Sequence, residues 1–570
     1  MKSIWLFLSC IAITASAGAR PNYIDAPPLK DVVKTPVGEV RGDTLRVPLI
    51  TWGGDIATIV ANGGALDTQT GSTFAAAGIR AKLVREDVFV RQLERYLTGE
   101  TPLLRGTVGM LNLATDALAS DPRVKPVVIY QLTWSAGGDA LVVKSSIRTA
   151  SDLRGKTIAL QAYGPHVDYL AKILTDAGLK LTDVTLRWLP DLTGTDNSPM
   201  AALYENDIDA ALTIIPDALA LTSGGTVGTG GEDSVKGARI LLSTKTANRI
   251  IADVYAVRAD YFEANRDRVQ AFVGALFKAE RELASIVANR DGDAERFRAT
   301  MRSAAQILLD SPEAIGDAEG LYADAEFARL RGNTQFFADA NHPRRLEKLN
   351  QEAQGAFAAM GLTSGSSVLA SAGWNYGRLS VEVGEDKTAE SPRFDKDQVA
   401  SLVTRKQQRG SLGEGELFRF EVFFKPNQKT FAEDLYADSF DRVIELASTY
   451  GGAIITVEGH SDPLGYLRKK SEKAPAVVLG QIKQSARNLS IGRAQSVRDS
   501  IISYANRRSI TLDPSQFAVV GHGIAQPATG ICNRDPCAPK NEQEWRSNMR
   551  VEFRILQVEA EESVFKPLGE

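Results

Sequence analysis

The residues best suited to do chemistry lie near the end of the chain. The turn sequence Gly459-His460-Ser461-Asp462 places a carboxylate directly after an apolar strand pattern, and Arg493 lies on a helix pattern that begins at Leu489. A guanidinium group binds a carboxylate through parallel hydrogen bonds, and a fixed carboxylate binds an ammonium group. An acid and a base this far apart in sequence can meet only in a folded domain. There they would either bind a zwitterionic ligand or form a structural ion pair with each other.

The elements around Asp462 and Arg493 follow a recognisable order. Strand patterns cover residues 420–424, 453–458, 517–523 and 550–556, and helix patterns cover 438–448 and 489–505. With Asn548-Met549-Arg550-Val551, this order resembles the OmpA-like peptidoglycan-binding domain. The resemblance implies an α+β domain over residues 416–557, with a tail at 558–570. It also implies that Asp462 and Arg493 bind the zwitterionic end of a diaminopimelate stem peptide, with hydrogen bonds from Asn427.

The chain departs from the OmpA-like pattern in places. The connection from Asp462 to Leu489 is longer than usual, which predicts a solvated insertion at 463–488. Ala486 and Met549 stand where the family commonly has Asn and Arg. We therefore expect a wall affinity below that typical of the family.

Strand and helix patterns alternate in the front half of the chain. The segments 45–52, 127–130, 140–143, 157–160, 209–215 and 250–257 are apolar and strand-like, and amphipathic helix patterns lie between several of them. Alternation of this kind predicts parallel sheets covered on both faces by helices.

Particular stretches of this front half resemble type 2 periplasmic solute-binding proteins. They are 135–143, 151–159 and 253–261, and the closest subgroup is the nitrate, sulfonate, taurine and thiamine-precursor binders of ABC importers. The resemblance implies a two-lobed α/β fold over residues 45–375 that closes on a small-molecule solute. Membrane subunits of an ABC importer are then candidate partners.

Turns between these elements supply the candidate solute-binding side chains. Helix N-termini and strand ends converge in such a cleft, which favours a solute with a negatively charged group. The tryptophans could equally pack in the core, His166 could cap a helix, and the turn carboxylates could accept backbone N–H bonds. The candidates are Trp52, Asp55, Trp134, Ser135, Asp139, Tyr163, His166 and Asp253.

The N-terminus and the cysteines indicate an exported protein. Residues 1–19 combine a lysine, an apolar run and small residues, which is typical of a cleaved signal peptide. A proline-rich leader follows at 20–44, and a polar linker is predicted at 376–415. Cys532 and Cys537 then predict a disulfide, because without a second pair they make only half a zinc site. We expect a periplasmic, wall-associated protein of a Gram-negative bacterium.

Composition restricts the remaining classes of function. With 66 basic and 70 acidic residues the chain lacks the positive surplus of nucleic-acid-binding proteins. It shows no nucleophile elbow and no metal-spaced cluster, so we predict a non-enzymatic protein without metal or cofactor. The favoured function is solute binding for an ABC-type importer, anchored to peptidoglycan. The alternatives are a wall-anchored sensory or structural adaptor that binds a partner protein, and a periplasmic enzyme.

Overall fold

The computed structural model describes residues 20–231, 234–365, 367–384, 394–410, 416–426 and 436–556. The predicted signal peptide, Asn427 and the predicted tail lie outside the described residues. Among the helices that are described, none is both long and apolar enough to cross a membrane.

The chain begins with a packed leader and the first elements of one lobe. Within the leader, Leu29 and Val33 are buried, so it lies against the fold. The elements are α1 (Leu29–Val32), β1 (Leu45–Leu49), α2 (Asp55–Ala61), α3 (Thr73–Ala76), β2 (Ala81–Arg85), α4 (Phe89–Leu97), β3 (Leu103–Thr107), α5 (Val108–Leu118) and β4 (Pro126–Ser135).

A second lobe follows, built on a sheet with the strand order β7-β6-β8-β5-β9. Ser198 caps one of its helices, as its Oγ accepts a hydrogen bond from Ala201 N at 3.3 Å. The elements are β5 (Asp139–Val143), β6 (Thr157–Gln161), α6 (His166–Asp176), β7 (Thr185–Leu189), α7 (Pro199–Leu203), β8 (Ala210–Ile214), α8 (Ile215–Leu221) and β9 (Arg239–Ser243).

The chain then returns to complete the first lobe around the strand order β11-β4-β10-β3. The returning elements are β10 (Ala252–Arg258), α9 (Ala259–Ala264), α10 (Arg266–Ala288), α11 (Ala294–Leu309), α12 (Ile315–Ala323), β11 (Ala325–Phe327), α13 (Arg329–Ala338), α14 (Leu346–Ala359), β12 (Ala370–Ser371) and α15 (Tyr376–Val383). The fold therefore has the two α/β lobes that the sequence predicts.

The strand directions differ from the parallel arrangement expected from the sequence. β10 pairs antiparallel with both β3 and β4, and β5 pairs antiparallel with β8 and β9. Parallel pairing, as predicted, is kept between β1 and β2 in the first lobe, and between β6 and its neighbours β7 and β8 in the second-lobe sheet. The reason is connectivity. The chain leaves one lobe after β4 and re-enters it at β10, so no helical crossover within a single sheet imposes parallel pairing there.

The C-terminal part is a separate α+β unit with the strand order β13-β18-β14-β15. Its elements, with the helix that precedes it, are α16 (Lys396–Arg409), β13 (Glu416–Phe423), α17 (Ala437–Thr449), β14 (Ile454–His460), α18 (Leu464–Ser471), α19 (Ala476–Arg507), β15 (Phe517–Gly523), β16 (Ile531–Cys532), β17 (Asp535–Pro536), α20 (Glu542–Ser547) and β18 (Arg550–Leu556). This matches the predicted element order, and the segment 463–488 is largely helical.

The segment 376–415 carries two packed helices. Leu379 of α15 is buried with the first-lobe core, whereas Leu402 and Val403 of α16 are buried with Ile454 and Val520 of the C-terminal sheet. The predicted linker thus covers apolar surface at both of its ends.

The C-terminal unit docks onto the second lobe through buried charges. Nζ of Lys172 on α6 lies 2.6 Å from Oε1 of Glu445 on α17, and Tyr450 Oη donates to Asp176 Oδ2 at 2.9 Å. The backbone N–H of Gly452 also donates to Thr246 O at 3.1 Å.

Candidate functional site

The Ser135–Asp139 turn between β4 and β5 forms one centre of polar contacts between the lobes. Ser135 Oγ donates to Asp139 Oδ2 at 2.6 Å, and the backbone N–H of Asp139 donates to Thr244 Oγ1 at 3.1 Å. Nε2 of His166 lies 2.8 Å from Asp139 Oδ1. His166 is fully buried, and its Nδ1 has no hydrogen-bond partner in the described part of the chain. The turn thus brings Ser135, Asp139 and His166 together.

Arg105 forms a second centre with two of the predicted carboxylates. Its Nη2 lies 2.9 Å from Asp55 Oδ2, and its Nη1 lies 2.8 Å from Asp253 Oδ1. Burial raises the pKa of Asp55 to about 6, against the opposing effect of Arg105. Thr133 Oγ1 donates to Asp253 Oδ2 at 3.1 Å. Arg105 was not among the residues predicted from the sequence. An arginine within the apolar strand Leu103–Thr107 does, however, indicate a buried charge that needs an acidic partner.

Trp52 contacts both the Arg105 cluster and the turn between Ser135 and Asp139. Its Nε1 donates to Thr133 Oγ1 at 3.0 Å, and a Cβ built on Gly138 would lie 2.4 Å from the Trp52 ring. The Trp52 ring therefore lies directly against the Gly137-Gly138 turn. Only glycine leaves room for this contact.

Trp134 and Tyr163 lie outside these two polar clusters. The Trp134 ring packs edge-on against Phe336 at 5.8 Å between centroids, within a buried apolar cluster. Tyr163 adopts φ 59° and donates its hydroxyl to Pro27 O at 2.6 Å, which ties the leader to the second lobe. Their contacts are those of packing residues.

A carboxylate that the sequence did not single out lies at the same turn. Asp324 follows α12, and its Oδ1 would be 2.5 Å from a Cβ built on Gly137. Burial raises the pKa of Asp324 to about 6, while nearby Lys245 opposes this shift. No local motif marks Asp324, because the turn that it faces is distant in sequence.

The turn that precedes α2 is closely covered within the first lobe. A Cβ on Gly53 would lie 1.9 Å from Leu321 O, so the end of α12 lies directly over this turn. Two small cavities, of about 10 and 40 Å³, lie elsewhere in the described chain. Their linings include Phe272 and Asn289, respectively, and none of the predicted solute residues.

In the C-terminal unit, the charges of Asp462 and Arg493 act on each other. Burial raises the pKa of Asp462, and Arg493 is among the groups that lower it. Burial also lowers the pKa of Arg493 to about 10, with Asp462 opposing the shift. Nη1 of Arg493 donates to His460 O at 3.1 Å. The Arg493 guanidinium is thus held at the end of β14, where the turn to Asp462 begins.

Asp462 lies between a backbone N–H group and an indole. Its Oδ2 accepts a hydrogen bond from Leu464 N at 3.1 Å, and a side-chain hydrogen bond from Trp545 lowers the pKa of Asp462 against the effect of burial. A half-buried carboxylate held in this way can receive an ammonium group.

A buried histidine and carboxylate cluster lies on the sheet of the same unit. Potential ligand atoms of Glu458, His460 and His522 lie within 4.8 Å of one another. The carboxylates are already paired with arginines, for example Glu458 with Arg554 at 3.0 Å. Burial and the Arg550 charge lower the pKa of His460 to about 2. A metal cation would have to lie beside guanidinium groups, so we interpret this cluster as a structural ion network.

The predicted disulfide is confirmed. Sγ of Cys532 and Sγ of Cys537 are bonded at 2.04 Å, and the bond closes the β16–β17 hairpin.

One protein-family model matches part of the front half of the chain. Residues 127–285 match the family described as NMT1/THI5 like. No curated protein shows significant similarity to the chain. The match covers β4, the second lobe, β10 and most of α10.

Matches among solved structures include binding proteins and an enzyme. The periplasmic aliphatic sulphonate binding protein SsuA from Escherichia coli is 18% identical, with a TM-score of 0.40, covering 62% of this chain and 96% of that chain. The desulfurization enzyme DSZB is 18% identical, with a TM-score of 0.36, covering 59% and 99%. The peptidoglycan-associated lipoprotein from Burkholderia pseudomallei is 16% identical, with a TM-score of 0.17, covering 24% and 88%. The fold assignment rests on the sheets of this chain, since these scores are low.

Proposed function

We propose that the protein is a periplasmic solute-binding protein of an ABC-type importer, held at the cell wall by its C-terminal unit. The observation that carries this proposal is the convergence of Trp52, Ser135, Asp139, His166 and Asp253 between the two lobes. The NMT1/THI5-like match over residues 127–285 supports the same assignment.

Native mass spectrometry of the full chain purified from its host tests the solute-binding part. We expect a co-purifying small molecule that is released on denaturation. Added back to the stripped protein, this molecule should raise the melting temperature, because a ligand that binds only the native state stabilises it by mass action.

Wall binding rests on the paired charges of the C-terminal unit. The ammonium of a diaminopimelate terminus would approach Asp462 Oδ1, and its carboxylate would approach Arg493. Both charges are partly or wholly desolvated, so truncation of either one should cost roughly 2 kcal/mol or more of binding free energy.

A pull-down with purified sacculi tests this site. We expect Asp462→Asn to reduce binding strongly, because the substitution keeps the shape and removes the charge. Asp499→Asn, at an exposed position of α19, is the matched control. Arg493→Ala should also abolish binding. Because Arg493 is buried, the melting temperature of this variant must be measured as well, to show that it is folded. Full retention of binding by folded Asp462→Asn would contradict the proposal.

A wall-anchored adaptor is the second candidate, favoured because the cavities at Phe272 and at Asn289 include none of the predicted solute residues. In that case the front half binds a partner protein and no small molecule. Absence of any solute, together with retained sacculus binding, would select this function over transport.

A further inference from the structure

The charge balance between the lobes differs from that of a site for an anion. Asp55, Asp139, Asp253 and Asp324 all contribute carboxylates to this region, and Arg105 is the buried guanidinium among them. Asp139 also acts electrostatically on both Asp253 and Asp324, raising the pKa of each. The described side chains around the Gly137-Gly138 turn therefore carry excess negative charge.

The positive end of the second-lobe helix is occupied by the protein itself. Asp168 lies in the first turn of α6, where backbone N–H groups of Asp168 and Tyr169 stabilise its carboxylate. A helix N-terminus would otherwise favour an anionic ligand group. The Asp168 carboxyl group thus competes with an anionic ligand group for these N–H groups, although burial raises its pKa to about 7.

Among these carboxylates, Asp324 has the most oxygen lone pairs free to accept a hydrogen bond from a ligand. It is half-buried beside Gly137 and accepts no hydrogen bond from a described side chain or backbone N–H group. The cation that acts on it is Lys245, which is exposed to solvent. Cζ3 and Cη2 of the Trp52 ring lie against the adjacent Gly138, so an aromatic ring and a carboxylate flank one turn.

A buried orphan group accompanies these carboxylates. His166 is fully enclosed and bound through Nε2 to Asp139, yet its Nδ1 lacks a partner within the described chain. An unsatisfied buried nitrogen at a ligand cleft is a group that a polar solute can satisfy.

We propose that the solute bound between the lobes carries a protonated amine or a quaternary ammonium group, received by the Asp324 carboxylate and the face of Trp52. A carboxylate supplies the counter-charge, and an aromatic face attracts a cation through its quadrupole. The inference rests on the proposed solute-binding function and replaces the anionic solute expected from the sequence.

The first experiment uses the unmodified full chain, so it does not depend on the folding of a variant. The solute released from the protein purified from its host is identified by mass spectrometry, and its charge at neutral pH is assigned. In parallel, melting temperatures are measured with choline and putrescine as cations, and with acetate and ethanesulfonate as anions. We expect a cationic solute and stabilisation by at least one of the two cations.

The second experiment assigns the contact. Asp324→Asn should weaken binding of the stabilising cation by roughly tenfold or more, equivalent to the loss of one desolvated charge contact. Asp317→Asn, at an exposed position of α12 close to Asp324, should leave the affinity unchanged.

The outcomes separate the inference from the function on which it rests. An anionic or neutral released solute, or stabilisation by the anions alone, would overturn the cationic assignment and leave solute binding intact. An unchanged affinity in folded Asp324→Asn would likewise overturn it. If no solute is released and no compound shifts the melting temperature, both the inference and the solute-binding function fail.

Discussion

Asp168 shows how burial changes the chemistry of one side chain. Its Oδ1 is enclosed without a hydrogen-bond partner among the described residues, and burial raises its pKa from 3.8 to about 7. The folded state therefore binds a proton more tightly than the unfolded state does. Stability conferred by this proton is fully present at low pH and is lost as the pH rises through the interval from about 4 to 7.

We predict that Asp168→Asn stabilises the protein at pH 8 by about 2 kcal/mol, because it removes a poorly solvated charge. The gain should shrink as the pH falls and vanish below about pH 4, where both states of the wild type are protonated. Urea unfolding at several pH values measures this. Asp317→Asn, exposed on α12, is the control. A gain that does not change with pH would contradict the assignment.

At the scale of elements, β14 and α19 approach each other more closely than most strands and helices. A Cβ on Gly459 would lie 1.9 Å from Ser490 O, which is a backbone atom and cannot rotate away. This contact sets the distance between the strand that leads to Asp462 and the helix that carries Arg493. Both groups of the wall-ligand site depend on it.

We predict that Gly459→Ala destabilises the C-terminal unit by about 3 kcal/mol, because the helix must move away from the strand. It should also reduce sacculus binding even in molecules that remain folded. Gly465→Ala in α18 has open space around its Cβ and should be neutral or slightly stabilising. Thermal unfolding and the sacculus assay measure both variants. If Gly459→Ala and Gly465→Ala had the same stability and the same sacculus binding, the close contact at Gly459 would not be required for either property.

α19 also shows where sequence patterns stop being informative. The apolar pattern predicts a helix over 489–505, whereas the helix spans Ala476–Arg507. Residues 476–488 are exposed or half-buried, so they carry no apolar face from which a period could be read. Proline at position 475 marks the start of the helix, which is consistent with the preference for proline at helix N-termini.

At the scale of the whole molecule, the C-terminal unit and the second lobe share a buried ion network. Lys172 contacts both Asp176 and Glu445, and Arg442 pairs with Asp176 at 3.1 Å. Lys172 and Asp176 are buried whereas Glu445 and Arg442 are partly exposed, so loss of Lys172 would leave Arg442 as the remaining cation beside the buried Asp176. The contact between Gly452 and Thr246 lies two residues from Thr244, which supports the Asp139 turn.

We predict that Lys172→Met destabilises the protein by about 3 kcal/mol, because Asp176 and Glu445 lose a shared cation. Lys278→Met, at an exposed position of α10, should change stability little. Urea unfolding measures the effect, and small-angle scattering should show a looser arrangement of the C-terminal unit. Unchanged stability and shape in Lys172→Met would mean that the network does not hold the two parts together.

Local patterns in the sequence determined the alternation of strands and helices in the front half, the main elements of the C-terminal unit and the disulfide, whereas the two lobes were implied by the resemblance to type 2 periplasmic solute-binding proteins. Apolar period and cysteine spacing are short-range signals that can be read from the chain alone. Tertiary structure alone decided the strand directions, the partners of Arg105 and Asp324, and the docking through Lys172. These depend on groups that are distant in sequence, and the free energy of a buried charge is set by whichever neighbours the fold brings to it.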